Sequence, residues 1–186
     1  MSLTTRAKVR EHLQIVDDGD TSTDDLIDAL VIAVSEHVSR YCDREFESSG
    51  ATPLTRTFLH EGSGLVNLAP FDAREVSAVT AGGVELAEDD WTEWPIPQRD
   101  GVISHLLLPD VGRREKVEVT GLWGWPAVPA SVERAATIGV AYMLRTTSQW
   151  MSNELDVDAG LGGARVVLPG AARAMLSSFK RYSVGH

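Results

Sequence analysis

Hydrophobic positions along this chain change period twice. From Thr5 to Ile15 they recur at helical spacing. Val9, Leu13 and Val16 mark one face of a short helix, with Thr4 as its N-cap. Asp17-Asp18-Gly19-Asp20 stops it. A longer helix is expected from Asp24 to Tyr41, opened by the capping-box pattern Ser22-x-x-Asp25. Ile27, Leu30, Val31, Val34, Val38 and Tyr41 share one face. Asp25, Asp28, Glu36, Ser39 and Asp43 fall within roughly 80° of each other on the opposite face. Ile32 lies inside that polar arc, where a monomer has no use for it.

Between about Thr55 and Trp125 the period shortens towards two. Thr55–His60, Gly64–Leu68, Val76–Thr80, Val102–Leu108 and Lys116–Leu122 read as strands. Ala81-Gly82-Gly83-Val84 is a hairpin signal. Pro95 and Pro97 make the stretch after Trp94 a loop or a sheet edge. Helical spacing returns after Pro129, with Ser131 as candidate cap, and runs to Trp150. The segment Ala135–Leu144 is apolar nearly all round, and such a helix is normally enclosed on every side. Ala135, Ala136, Gly139 and Ala141 allow close backbone approach, and a neighbouring subunit is expected to complete the enclosure. Met151–Leu168 has no period and holds Gly160, Gly162 and Gly163, so a long mobile loop, or a strand pair that orders on a partner, is expected. A last helix over Pro169–Tyr182 carries the stripe Ala172, Met175, Phe179 and Tyr182 beside Arg173, Lys180 and Arg181. The fold class expected is α+β: a helical body of about four helices with a small antiparallel β region inserted between helices two and three. The divisions fall at residues 1–50, 51–127 and 128–186.

Charge adds a constraint. The formal net charge is −10, which argues against a protein that grips nucleic acid. Residues 1–50 carry −6, residues 51–127 another −6, and residues 128–186 carry +2. The last segment is the one suited to an acidic partner surface. One cysteine, Cys42, has no internal disulfide partner, which suits a reducing compartment. The polar first 20 residues do not read as a signal peptide, and no apolar run has the length of a membrane span.

No catalytic motif emerges. Asp18-Gly-Asp20-Thr-Ser22 hints at a calcium loop, but Thr23 and Ala29 stand where an EF-hand needs Gly and Glu. His12, His37, His60, His105 and His186 are scattered, with no metal-ligand spacing among them or to Cys42. Glu61-Gly62-Ser63-Gly64 is a turn rather than a nucleophile elbow. Asp89-Asp90 is one of many acidic pairs and lacks a second site element. Gly160–Gly163 lacks the Lys-Ser/Thr of a phosphate loop. Trp91, Trp94, Trp123 and Trp125 could form a sugar or base platform, although packing is the simpler reading of clustered Trp.

The order of parts is then the strongest signal, together with three stretches. These are Leu3-Thr4-Thr5-Arg-Ala-Lys-Val9-Arg-Glu-His-Leu13, Tyr41-Cys42-Asp43-Arg44-Glu45-Phe46, and Val117-Glu-Val-Thr-Gly121-Leu-Trp123-Gly124-Trp125-Pro-Ala-Val128-Pro129. With these the chain resembles the head–tail connector (adaptor) family of long-tailed double-stranded DNA phages, over nearly its whole length. The resemblance implies a structural virion protein, neither enzyme nor cofactor binder, located in the neck and assembled in the host cytoplasm. It implies a ring of about twelve copies with a heterologous interface. Such a ring joins the portal protein to a stopper or tail-completion protein and extends the channel through which double-stranded DNA passes. A tail-completion or stopper protein is the nearest alternative, and a carbohydrate-binding β module a more distant one. On this reading Asp25, Asp28, Glu36 and Asp43 are channel-lining candidates, since an acidic wall repels phosphate. Ile32, Ala135, Gly139 and Tyr142 are subunit-interface candidates. Arg173, Met175, Phe179, Lys180 and Tyr182 are portal-contact candidates, with Asp156–Leu168 a second contact segment. The β region is larger than in minimal members of the family.

Overall fold

The computed structural model of the chain describes residues 2–15, 23–47, 50–60, 62, 64–96, 101–108, 115–153 and 166–181. Ser22, the turn at Glu61-Gly62-Ser63-Gly64 in part, Asp156–Leu168 up to residue 165, Gly160–Gly163 and Tyr182 lie outside them. The chain divides into two units. One is helical and combines Met1–Cys42 with Val128–His186; in the other, Asp43–Ala127, the elements among the described residues are strands and one short 3-10 turn.

In the helical unit, α1 spans Arg6–Leu13, α2 Asp24–Cys42, α3 Ala130–Asn153 and α4 Gly170–Leu176. The cap of α1 is Thr5, whose hydroxyl accepts from the Lys8 N–H at 3.4 Å. Thr4 is buried instead, and its hydroxyl meets that of Thr137 on α3 at 2.7 Å. The Leu3 N–H donates to Ser35 Oγ on α2 at 2.9 Å. The opening residues are therefore pinned to both long helices. On α2 the buried positions are Ile27, Val31, Val34, Ser35, Val38 and Cys42, with Asp24 at its start. These recur at three- and four-residue spacing, as one helix face requires. α3 is the hub, packed against α1, α2 and α4. Gly139 marks its closest approach: an added Cβ would lie 2.9 Å from Val34 Cγ1 and 3.1 Å from Leu168 Cδ2. α4 fastens to the unit through Ala172 and Leu176, one turn apart and both fully buried.

The β unit corrects the expected fold class. It is not a small insertion in a helical body but a large unit, in which the described residues form seven strands in two antiparallel sheets. β1 (Leu54–Leu59), β7 (Lys116–Trp123), β3 (Ala73–Ala81) and β4 (Val84–Glu85) form one sheet in that order. β2 (Leu65–Asn67), β6 (His105–Leu107) and β5 (Thr92–Trp94) form the other. Both sheets feed one core. Phe58, Val76, Val79, Val117, Val119 and Trp123 come from the first, and Val66 and Leu106 from the second. β7 shows the alternation plainly: Val117, Val119, Gly121 and Trp123 are buried, while the residues between them are partly exposed. The expectation fell short because β4 and β5 are two and three residues long and sit among Gly, Pro and acidic residues. Segments that short carry no readable period.

Candidate functional site

Three exposed surfaces of the helical unit carry the residues singled out above. The first is the outer strip of α2. Asp25, Ala29, Ile32, Glu36 and Arg40 are exposed along it, and Ile32 keeps 50% of its surface in solvent. Asp28 is set to one side. Its carboxylate is held by Arg6, which donates from Nε at 3.0 Å and forms an ion pair through a second nitrogen. Asp28 is therefore neutralised within its own chain, while Asp25 and Glu36 point outward. Asp43 follows the helix end in the left-handed conformation, with φ 52°, and is exposed.

Arg6 also reaches Asp24 at 2.6 Å, and Arg10 meets the other oxygen of Asp24 at 2.7 Å. Burial works to raise the Asp24 pKa. The hydrogen bonds and charges of Arg6 and Arg10 outweigh it and hold the carboxyl below its ordinary value. This clamp fixes α1 to the start of α2.

The second surface is the outer strip of α3. Ser131, Arg134, Tyr142 and Arg145 are exposed there and Ile138 is half-buried; Tyr142 is 43% exposed. Ala135 and Gly139 are buried in the core of the unit, so Ile32 and Tyr142 are the interface candidates that reach the surface. Its own chain buries the apolar run of α3 except at half-buried Ile138 and exposed Tyr142. A groove of about 430 Å³ beside this strip is lined by Lys8, Glu11 and His12 of α1 and by Glu133, Arg134 and Thr137 of α3. Lys8 and Glu133 form an ion pair across it. Burial, then the charges of Arg134 and Arg145, push the His12 pKa down.

The third surface belongs to α4 and the residues after it. Arg173, Met175 and Lys180 are exposed, Phe179 is half-buried, and Lys180 lies 5.3 Å from the Tyr41 ring centroid. Arg181 is buried, and its N–H donates to the Cys42 carbonyl at 2.9 Å. The stripe expected on this helix is shifted: Leu176 is buried, and Met175 is 38% exposed.

In the β unit, Trp123 and Trp125 are buried at 1% and 3% exposure, which removes them from any platform. Trp94 is half-exposed and pairs with His105 across the sheet, and Ile96 and Leu107 are exposed as well. Asp72 escaped notice in the sequence. It is fully buried and accepts from Arg44 at 2.6 Å and from the Trp125 indole at 3.0 Å, while its carbonyl accepts from the Gly124 N–H at 2.6 Å. Phe46 packs on Trp125 with ring centroids 5.4 Å apart. Both ends of the β unit thus close on one carboxylate, through residues of two of the three stretches that carry the resemblance.

Among the described residues no group of three or more His, Cys, Asp or Glu side chains is placed to hold a metal ion, and no helix is long and apolar enough to cross a membrane. No family model matches the chain, and no curated protein matches it.

Proposed function

We propose that the chain is a head–tail connector: a structural ring subunit that sits between the portal and a stopper or tail-completion protein and continues the DNA channel. The observation that carries the reading is the organisation of the chain. Its two ends build one helical unit around α3, and the segment between them folds on a core of its own. A helical unit closed by both ends of the chain is suited to form the body of a ring subunit. The surface of α4 adds support, because Arg173 and Lys180 flank exposed Met175 on the segment expected to meet the portal. A basic rim around an apolar contact suits an acidic partner surface.

The test is capture of the purified chain by DNA-filled heads that carry portal but no neck. Removing α4 would strip Ala172 and Leu176 from the core, so point variants are the cleaner probe. The triple variant Arg173→Glu, Met175→Asp, Lys180→Glu changes only exposed positions. It should keep its helical circular dichroism and lose at least about tenfold in capture, the effect of roughly 1.4 kcal/mol. Full capture by the variant would move the portal contact elsewhere. Failure of the unaltered chain to bind such heads would defeat the connector reading. Binding only to heads that already carry an adaptor would favour a stopper or tail-completion role.

A further inference from the structure

The exposed strips of α2 and α3 are complementary in charge and in spacing. Asp25 and Glu36 bracket Ile32 on one; Arg134 and Arg145 bracket Ile138 and Tyr142 on the other. Asp25 and Glu36 are eleven residues apart, and so are Arg134 and Arg145. At about 1.5 Å per residue both pairs span roughly 16 Å of helix. Ile32 stands seven residues after Asp25, and Tyr142 eight after Arg134. Laid side by side in the same direction, the two helices would bring Asp25 to Arg134, Glu36 to Arg145, and Ile32 to Tyr142 with an offset of about 1.5 Å.

We infer that the α2 strip of one copy docks on the α3 strip of the next, in parallel, as a heterologous contact between copies of this chain. The inference deepens the connector reading by naming the surface that would join its subunits. Two arguments select a second copy as the occupant. Like charges flank an exposed apolar centre on each strip, with opposite sign on the two, so each strip is the complement of the other. The strips also point in different directions. Val34 of α2 faces Gly139 of α3, and Ile32 and Glu36 lie nearly opposite Val34 on the helix. The α3 strip lies about a quarter turn from Gly139. One chain therefore cannot satisfy its own strips, and the contact is copy to copy with different patches on each side. Arg40 on the α2 strip, and Glu11 in the groove beside the α3 strip, reduce the charge contrast without reversing it. Asp25 and Glu36 are thereby assigned to contact between subunits rather than to a channel wall, because Ile32 at the centre of a DNA-facing strip would serve nothing.

The experiment is a charge exchange read by sedimentation velocity and native mass spectrometry. Variant one carries Asp25→Lys and Glu36→Lys; variant two carries Arg134→Glu and Arg145→Glu. All four positions are exposed, so both variants should fold with unchanged helical circular dichroism and melting. The unaltered chain should self-associate, and each variant alone should associate at least about tenfold more weakly, since its two strips now repel. An equimolar mixture should recover association, because each reversed strip meets its reversed complement on the other variant. Recovery by mixing is a result that general destabilisation cannot produce. Unaltered chain that stays monomeric at every concentration reached, variants that associate normally, or a mixture that does not recover would each overturn the inference. Pairing Glu36→Lys with Arg145→Glu should recover association better than pairing it with Arg134→Glu; the reverse order would overturn the parallel arrangement. Head capture in the same variants separates the two readings. Capture without the charge effect leaves the connector reading and removes this interface. The charge effect without capture leaves the interface and removes the connector reading.

Discussion

Single residues in the β unit hold together what the strands alone leave open. Asp72 has no solvent and compensates a guanidinium and an indole N–H at once. Asp72→Ala would leave Arg44 and Trp125 facing a gap, and breaking a buried pair of this kind costs about 3–5 kcal/mol. Urea unfolding followed by Trp fluorescence should show a midpoint shift of that size. Gly121 is a second such point. A Cβ there would lie 2.2 Å from the Glu75 carbonyl oxygen, which belongs to the neighbouring strand and cannot turn away as a side chain would. Gly121→Ala should cost about 1–3 kcal/mol or more by forcing β3 off β7. A melting temperature unchanged from the parent would show that the strands separate freely. Arg44, Phe46, Gly121 and Trp125 all stand in stretches that the sequence marks as notable. Asp72 does not. Its partners lie 28 and 53 residues away, and an isolated Asp in an acidic chain carries no local signal of burial.

At the scale of elements, periodicity reports burial but not the identity of the cover. The apolar run of α3 announces enclosure, and its own α1, α2 and α4 supply it on all but the side that carries Ile138 and Tyr142. Sequence spacing does not tell which positions the chain covers itself and which, like Tyr142, it leaves in solvent, because that depends on how α1, α2 and α4 converge on one helix. The same limit explains α4, where the stripe is set by Ala172 and Leu176 under α3 rather than by Met175. The long strands β1, β3 and β7 are readable because six to nine residues leave room for alternation, unlike β4 and β5. Helix α1 yields a prediction on pH. Burial and two nearby arginines depress the folded-state pKa of His12, so the unfolded chain takes up the proton first as pH falls. The associated stability is fully present above the unfolded value of about 6.5 and is lost below it, down through the depressed folded value. The melting temperature of the helical unit should therefore fall between pH 7.5 and pH 5.5, and His12→Gln should flatten that slope. Asp24 acts in a separate window. Its depressed pKa gives stability that is present above the ordinary Asp value near 3.9 and lost only under stronger acid. A slope that persists unchanged in His12→Gln would assign the transition to another group.

For the whole molecule, the two units should unfold as two events that different probes resolve. Each has a core built from its own residues: α2 and α3 positions in one, both sheets in the other. Asp43–Ala127 lies in the size range where a domain folds alone, and Arg44 and Trp125, near its two ends, both meet Asp72. Four of the five tryptophans, Trp91, Trp94, Trp123 and Trp125, fall in that unit, with Trp150 the exception. Tryptophan emission thus follows mainly the β unit, and ellipticity at 222 nm mainly the helices. Asp72→Ala should shift the emission transition and leave the ellipticity transition close to its parent position. Gly139→Leu should do the opposite. Even a single added Cβ would press on Val34 and Leu168, and over-packing of this kind costs about 1–3 kcal/mol in the helical unit alone. The segment 43–127 expressed by itself should give dispersed amide resonances and a cooperative melt with the emission midpoint of the full chain. Coincident shifts of both probes in both variants, or an isolated segment that does not fold, would mean that the units stabilise each other strongly enough to unfold as one.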